Sequence, residues 1–182
     1  MTSTEVLKHE HQIILLVLRG AEREVQSIAA TENIHPDKVE QMVDFFRAFA
    51  DRCHHTKEEN LLFVRMQEKG MPVEHGPIAV MLAEHREGRR LVKAVADALP
   101  RAKAGDADAI AVVSENLSGY VELLRAHIAK EDNVLYPMAD RLFTPQDQHA
   151  LVEAFEKVER EEMGEGTHEK YHQLAHELGE NS

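Results

Sequence analysis

Two stretches of this sequence place an imidazole and a carboxylate four residues apart. CHHTKEENLLF, Cys53 to Phe63, holds His54 and Glu58; HIAKEDNVLYP holds His127 and Glu131. On an α-helix that spacing puts both groups on one face. Two more histidines each follow a glutamate, in Glu10-His11 and Glu84-His85. The sets repeat at a nearly constant offset: His11 to His85 (85 − 11 = 74), His54 to His127 (127 − 54 = 73) and Glu58 to Glu131 (131 − 58 = 73). Two helical hairpins, each giving a His and then His-x-x-x-Glu, can turn these six side chains toward one axis. An unpaired buried carboxylate costs several kcal/mol, so the convergence calls for a compensating charge. A pair of metal ions supplies it.

Four imidazoles and two carboxylates without a thiolate suit iron or manganese, with zinc a further option. If each carboxylate bridges and each ion takes two histidines, an added oxide or hydroxide bridge makes both ions five-coordinate, with a position left for a small ligand. The ferritin-like di-iron pattern uses Glu-x-x-His at i, i+3. Here the order is reversed and the spacing is four, which argues against it.

The EH…HxxxEE…EH…HxxxED series resembles the hemerythrin-like (HHE cation-binding) family, over about Leu7 to Pro137. The resemblance implies a four-helix bundle around two non-haem iron ions, oxo- or hydroxo-bridged. His11 and His54 would hold one iron, His85 and His127 the other, and Glu58 and Glu131 would bridge. Dioxygen-carrying members usually have a fifth histidine one turn before the helix-three ligand, and Met81 stands at that place here. The departure points away from reversible oxygen carriage and toward binding of, or reaction with, O2, H2O2 or NO. Two alternatives remain open: an oxygen- or redox-sensing module without turnover, and iron–sulfur cluster repair or iron handling. The family members that repair clusters carry an N-terminal cysteine-containing domain, which is not seen in this sequence. Whether the protein is an enzyme stays undecided at this level; if it is one, it is an oxidoreductase.

The elements that must position these groups read as helices. Helix formers dominate, and apolar residues recur at three and four, as in Val39, Met42, Val43, Phe46 and Phe49. The expected helices run from Ser3 to Ala30, capped by Ser3 or Thr4; from Pro36 to Lys69, stopped by Gly70; from Pro77 to near Leu99-Pro100; and from about Ala107 to Tyr136, with Pro137 kinking or ending the last. Short loops favour an antiparallel up-down-up-down bundle. Residues 1–142 form this bundle, and residues 143–182 form a C-terminal helical extension packed on it, starting at Thr144-Pro145.

Helical phase suggests the surroundings. Tyr120, seven before His127, shares its face and is the candidate catalytic residue, able to donate a hydrogen bond to a bound oxygen species; ordinary core packing is its plainer reading. Leu15, Leu18, Leu62, Met81, Leu123 and Leu124 are candidates for apolar walls. Glu10, Glu59, Glu84 and Asp132 flank the ligands and either hold their N–H groups or face solvent. Register with His127 selects His54 rather than His55. His9, His35, His55, His75 and His149 have no partner pattern.

Bulk properties narrow the field. The formal net charge of −12 over 182 residues argues against nucleic acid and anionic membranes as partners. A single cysteine, Cys53, excludes a disulfide within the chain and reads as inert. No leader or bilayer-length apolar run is visible, so the expected compartment is the cytoplasm. His168-Glu169-Lys170-Tyr171-His172 matches the zinc-protease HExxH pattern, but the residues after His172 do not supply the further ligand, and His168, His172 and His176 read as a solvated or packed helix face.

Overall fold

The computed structural model describes residues 1–164 and 166–180. Among them every regular element is helical. Helix α1 is Ser3–Thr31. Its cap is Thr2, whose side chain accepts from the Glu5 N–H while Glu5 accepts from the Thr2 N–H. The cap falls ahead of the expected Ser3 or Thr4 because those hydroxyls are engaged elsewhere, Ser3 with Gln148 and Thr4 with Asp140, each at 2.7 Å. Glu32, at φ 57°, ends the helix in the left-handed region.

Helix α2 starts at Pro36 and runs through residue 68, but not as one α-helix. It widens into π-helical turns over Phe46–His55 and Glu58–Leu62. Helix α3, Pro77–Lys103, continues past the expected stop and contains Pro100 in its last turn. Helix α4 runs Ala107–Lys130, opens into a π turn over Glu131–Leu135, and resumes as Tyr136–Leu142. Pro137 therefore does not end it. It sits at the start of the resumed α-helical stretch, where the missing N–H has little to lose. Helix α5, Pro145–Val158, begins with a reciprocal Thr144–Asp147 cap and passes into a π turn, Glu159–Met163. Helix α6 is Thr167–Glu180.

Helices α1 to α4 form the bundle, α3 packing along α4, α1 against α4, and α2 against α3. The apolar core is split into two layers. Leu7, Leu62, Phe63, Met81, Leu135 and Phe155 lie in one, and Val17, Phe46, Val92, Leu117 and Val121 in the other. Between them lies a layer of buried histidine and glutamate.

Helix α6 lies across α1. The crossing is close because both helices present glycine: a methyl group on Gly179 would stand 2.8 Å from the Leu16 carbonyl oxygen, and one on Gly20 would overlap that of Leu178. The Arg23 guanidinium donates to Leu178 O at 2.7 Å, and the Tyr171 hydroxyl donates to Asp44 at 2.8 Å. Among the described residues no helix is long and apolar enough to cross a membrane.

Candidate metal centre

The π turns sit on the His-x-x-x-Glu segments themselves: Phe46–His55 contains His54, Glu58–Leu62 begins at Glu58 and Glu131–Leu135 at Glu131. Such widened turns recur at functional sites, because the extra residue re-aims side chains while the helix continues. Here they bring together His11, His54, Glu58, His85, His127 and Glu131, all buried. The Nε2 atoms of His11 and His54 face each other at 3.1 Å, as do those of His85 and His127.

Each carboxylate reaches both pairs. Glu131 lies 3.2 Å from His11 Nε2 and 3.1 Å from His127 Nε2; Glu58 lies 3.7 Å from His54 Nε2 and 3.3 Å from His85 Nε2. Donor atoms of His11, His54, Glu58 and Glu131 all fall within 4.8 Å of one another.

Each of these histidines is held from behind by a carboxylate at Nδ1. Asp132 accepts from His11 at 2.8 Å, Glu10 from His54 at 2.8 Å, Glu59 from His85 at 2.7 Å and Glu84 from His127 at 2.8 Å. An acid on Nδ1 fixes the tautomer and presents the Nε2 lone pair inward. The glutamate before a histidine thus anchors the other histidine of its own hairpin, whereas the acid after a glutamate reaches across to the opposite hairpin. The repeat extends to the counter-cations. Lys57 binds Glu10 and Lys130 binds Glu84, again at an offset of 73 (130 − 57 = 73), and Arg89 binds Glu59 at 2.8 Å.

The inner carboxylates have no such cation. Glu58 Oε2 and both oxygens of Glu131 are buried without a hydrogen-bond partner, although imidazole nitrogens stand close. Three orphaned carboxylate oxygens facing inward-turned imidazoles are the donor set of a hard-to-borderline divalent cation, so the residues present fit metal.

The charges in the layer register the same conflict. Burial would lower the His11 pKa, but Asp132 and Glu131 outweigh it and raise it to about 9. Burial is likewise outweighed at His127, chiefly by Glu131, raising it to about 10. Burial would raise Glu58, yet His54 and His85 hold it well below the usual carboxylate range.

Two groups at the centre lack a signal in the motif. Tyr136 is buried, its ring stacked on His11 at 5.4 Å, and its hydroxyl donates to Glu58 Oε1 at 2.5 Å. Burial and the charges of Glu131 and Glu58 raise its pKa well above the ordinary value, so it stays a donor. The repeat partner of Tyr136 is Phe63 (136 − 63 = 73), stacked on His85 at 6.1 Å but without a hydroxyl. His55 is the second group: buried, stacked on His85 at 3.9 Å, with its donor atom within 4.8 Å of those of Glu58, His85 and His127. Burial and the charge of His85 hold its pKa well below the ordinary value.

Tyr120 is placed elsewhere. It is two turns up α4 from His127, with its ring 4.5 Å from that of Phe46 and against Gly88, and it lines a cavity of about 240 Å³ with Phe46, Asp51, His55, Arg89 and Val92. Of the expected walls, Leu18, Leu62, Met81 and Leu124 are buried, and Leu15 and Leu123 partly so. Cys53 is a buried free thiol whose pKa burial raises to about 12. The HExxH histidines do not converge with the centre. His168 lies 3.1 Å from Glu159, and His176 pairs with Glu180 at 2.9 Å on the surface.

A family profile described as hemerythrin HHE cation binding domain matches residues 2–139. Uncharacterized proteins of Mycobacterium bovis and of two strains of Mycobacterium tuberculosis are each 23% identical over 165 residues, covering 91% of this chain. The chain spans 64% of the length of these relatives. No solved structure matches.

Two outcomes follow from the charges. The repeat-related lysines differ in exposure, since the Lys57 side chain is 0% exposed beneath α5 and that of Lys130 is 42% exposed. Lys57→Met should therefore cost about 3–5 kcal/mol by stranding Glu10, and Lys130→Met about 1 kcal/mol or less; denaturant titration of the two variants separates them. In metal-free protein, the raised His11 and His127 pKa values contribute stability that is fully present below pH 6.5 and lost as pH rises through about 9 to about 10. Metal must displace those protons, so its affinity rises over the same window and uptake releases acid. Thermal melts across that range should show metal-free protein weakening as pH rises and metal-loaded protein weakening less.

Proposed function

The chain belongs to the hemerythrin HHE cation-binding domain family, and on that premise we propose that it is a non-haem di-iron protein that binds or reacts with a small oxidant, O2, H2O2 or NO. The observation that carries the reading is the set of three orphaned carboxylate oxygens on Glu58 and Glu131, surrounded by imidazoles whose Nδ1 atoms are already committed to acids. His11 and His54 would hold one iron, His85 and His127 the other, and Glu58 and Glu131 would be shared. The imidazole and carboxylate donors, with no thiolate among them, favour iron or manganese. When bound, the pair supplies reversible one-electron chemistry toward a small ligand.

The protein's own groups set the conditions for that chemistry. Phe63, Leu62, Met81 and Leu135 close the layer on one side and keep bulk water out. The four outer acids orient the imidazoles, and Lys57, Lys130 and Arg89 hold three of those acids charged. Tyr136 keeps its proton at neutral pH and presents a hydroxyl between Glu58 and His11, 3.2 Å from His11 Nε2. A ligand on that side can accept a hydrogen bond from it. Cys53, a lone buried thiol, suits a reducing compartment, and the reading places the protein in the cytoplasm.

A sensing role has one observation in its favour. Glu10, which anchors His54, is bound by Lys57; Lys57 Nζ also donates to Glu159 at 3.1 Å, and Glu159 meets His168 of α6. The C-terminal helices are thus linked by charge to His54, and a change at the centre has a route to them.

Anaerobic reduction of iron-loaded protein, followed by O2, H2O2 and NO in turn with optical detection, tests the reading. Spectral change that reverses on removal of the ligand indicates binding, and consumption of the oxidant indicates turnover. Silence toward all three overturns it. Tyr136→Phe should keep both irons and alter the response, whereas Glu58→Ala should lose the metal.

A further inference from the structure

We propose that His168 and His172 of α6, with Glu159 from the end of α5, form a second metal site outside the buried layer, suited to zinc or a similar borderline divalent cation. The proposal does not depend on which metal the buried layer takes up.

His168 and His172 have the i, i+4 spacing of a chelating pair, but no third donor follows them along the chain. His176, one turn further on, is turned to Glu180 instead. The fold supplies a donor from before the pair. Glu159 opens the π turn that follows α5, and its Oε1 stands 3.1 Å from His168 Nε2. Lys57 donates to the same oxygen at 3.1 Å and favours the ionised carboxylate.

The spacings match those of the buried layer. There the paired imidazoles have ring centroids 4.7 and 4.8 Å apart, and Glu131 stands 3.2 Å from His11 Nε2 and 3.1 Å from His127 Nε2. In the outer cluster the His168 and His172 rings are 4.5 Å apart, tilted by 40°. Two imidazoles on one ion, with metal–nitrogen bonds of about 2.1 Å, have ring centroids about 4.5–5.2 Å apart for angles from square to tetrahedral.

His172 supplies an independent sign. Its Nε2 is shut off from solvent and has no hydrogen-bond partner among the described residues, where a buried imidazole nitrogen normally finds one. Burial, with His168 and His9 close by, lowers its pKa, so the ring is neutral at neutral pH and offers a lone pair. Both imidazoles rest against the fully buried Phe49, whose ring lies 5.4 Å from that of His168 and 6.1 Å from that of His172. The His168 and Glu159 side chains are 33% and 31% exposed, which leaves an ion a way in.

Two imidazoles and one carboxylate, with a position left for water, are a donor set that zinc accepts. An ion held there would fasten the start of α6 to the end of α5. Zinc titration of the full chain by calorimetry, with bound zinc counted, tests the site. Native protein should bind one zinc per chain more than His168→Ala or His172→Ala, and Glu159→Gln should weaken that zinc by at least about 10-fold. His176→Ala should bind as native protein does. Equal zinc counts in native protein and in whichever histidine variant folds would overturn the site. Should both fail to fold, unchanged zinc affinity in Glu159→Gln overturns it.

Discussion

Everything in this bundle answers to two carboxylates that sit in its core without a lysine or arginine of their own. Glu58 and Glu131 are fully buried, and three of their four oxygens find no hydrogen bond. A chain of this size has a net stability of only about 5–15 kcal/mol, and two buried carboxylates draw on it; in the metal-free protein Glu131 is met by His11 and His127, whose pKa values it raises. The surrounding structure is built to make them tolerable once metal is bound. The inner imidazoles turn Nε2 toward them, the outer acids hold those imidazoles, and lysine or arginine neutralises three of the outer acids. Charge is balanced shell by shell outward until only the centre is left open.

The repeat explains how one chain assembles this economically. Each hairpin anchors one of its own histidines and lends an acid to the other hairpin, so neither half is complete alone. The halves then diverge at a few positions. Lys57 is sealed under α5 while Lys130 meets solvent. A hydroxyl stands at Tyr136 but not at Phe63, and an imidazole at His55 but not at Ile128. The duplicated scaffold gives two similar halves of the buried layer, and these few residues make the halves chemically different.

Much of this was legible in the residue pattern. The constant offset picks out the six side chains that converge, and the helix formers with their proline and glycine stops place four bundle helices with small errors at the ends. What escaped was whatever the π turns re-aim. In an α-helix, at about 100° per residue, Tyr136 lies well off the face of Glu131; the wider turn over Glu131–Leu135 swings it back beside His11. Tyr120 keeps true α-helical phase with His127, but two turns of rise carry it into the next apolar layer. His55, adjacent to a ligand, should face away on an α-helix, and the π turn of Phe46–His55 lets both neighbours point inward. Pairing of acids with Nδ1 atoms across hairpins depends on tertiary contacts that spacing along one helix does not encode.

The central claim is that this core is built around two ions shared by Glu58 and Glu131. Anomalous diffraction at the iron edge from crystals of iron-loaded protein tests it most directly. The account predicts two peaks roughly 3.5–4 Å apart, both within bonding distance of the two glutamates, one beside His11 and His54 and the other beside His85 and His127. A single peak, or iron bound away from this layer, would contradict it.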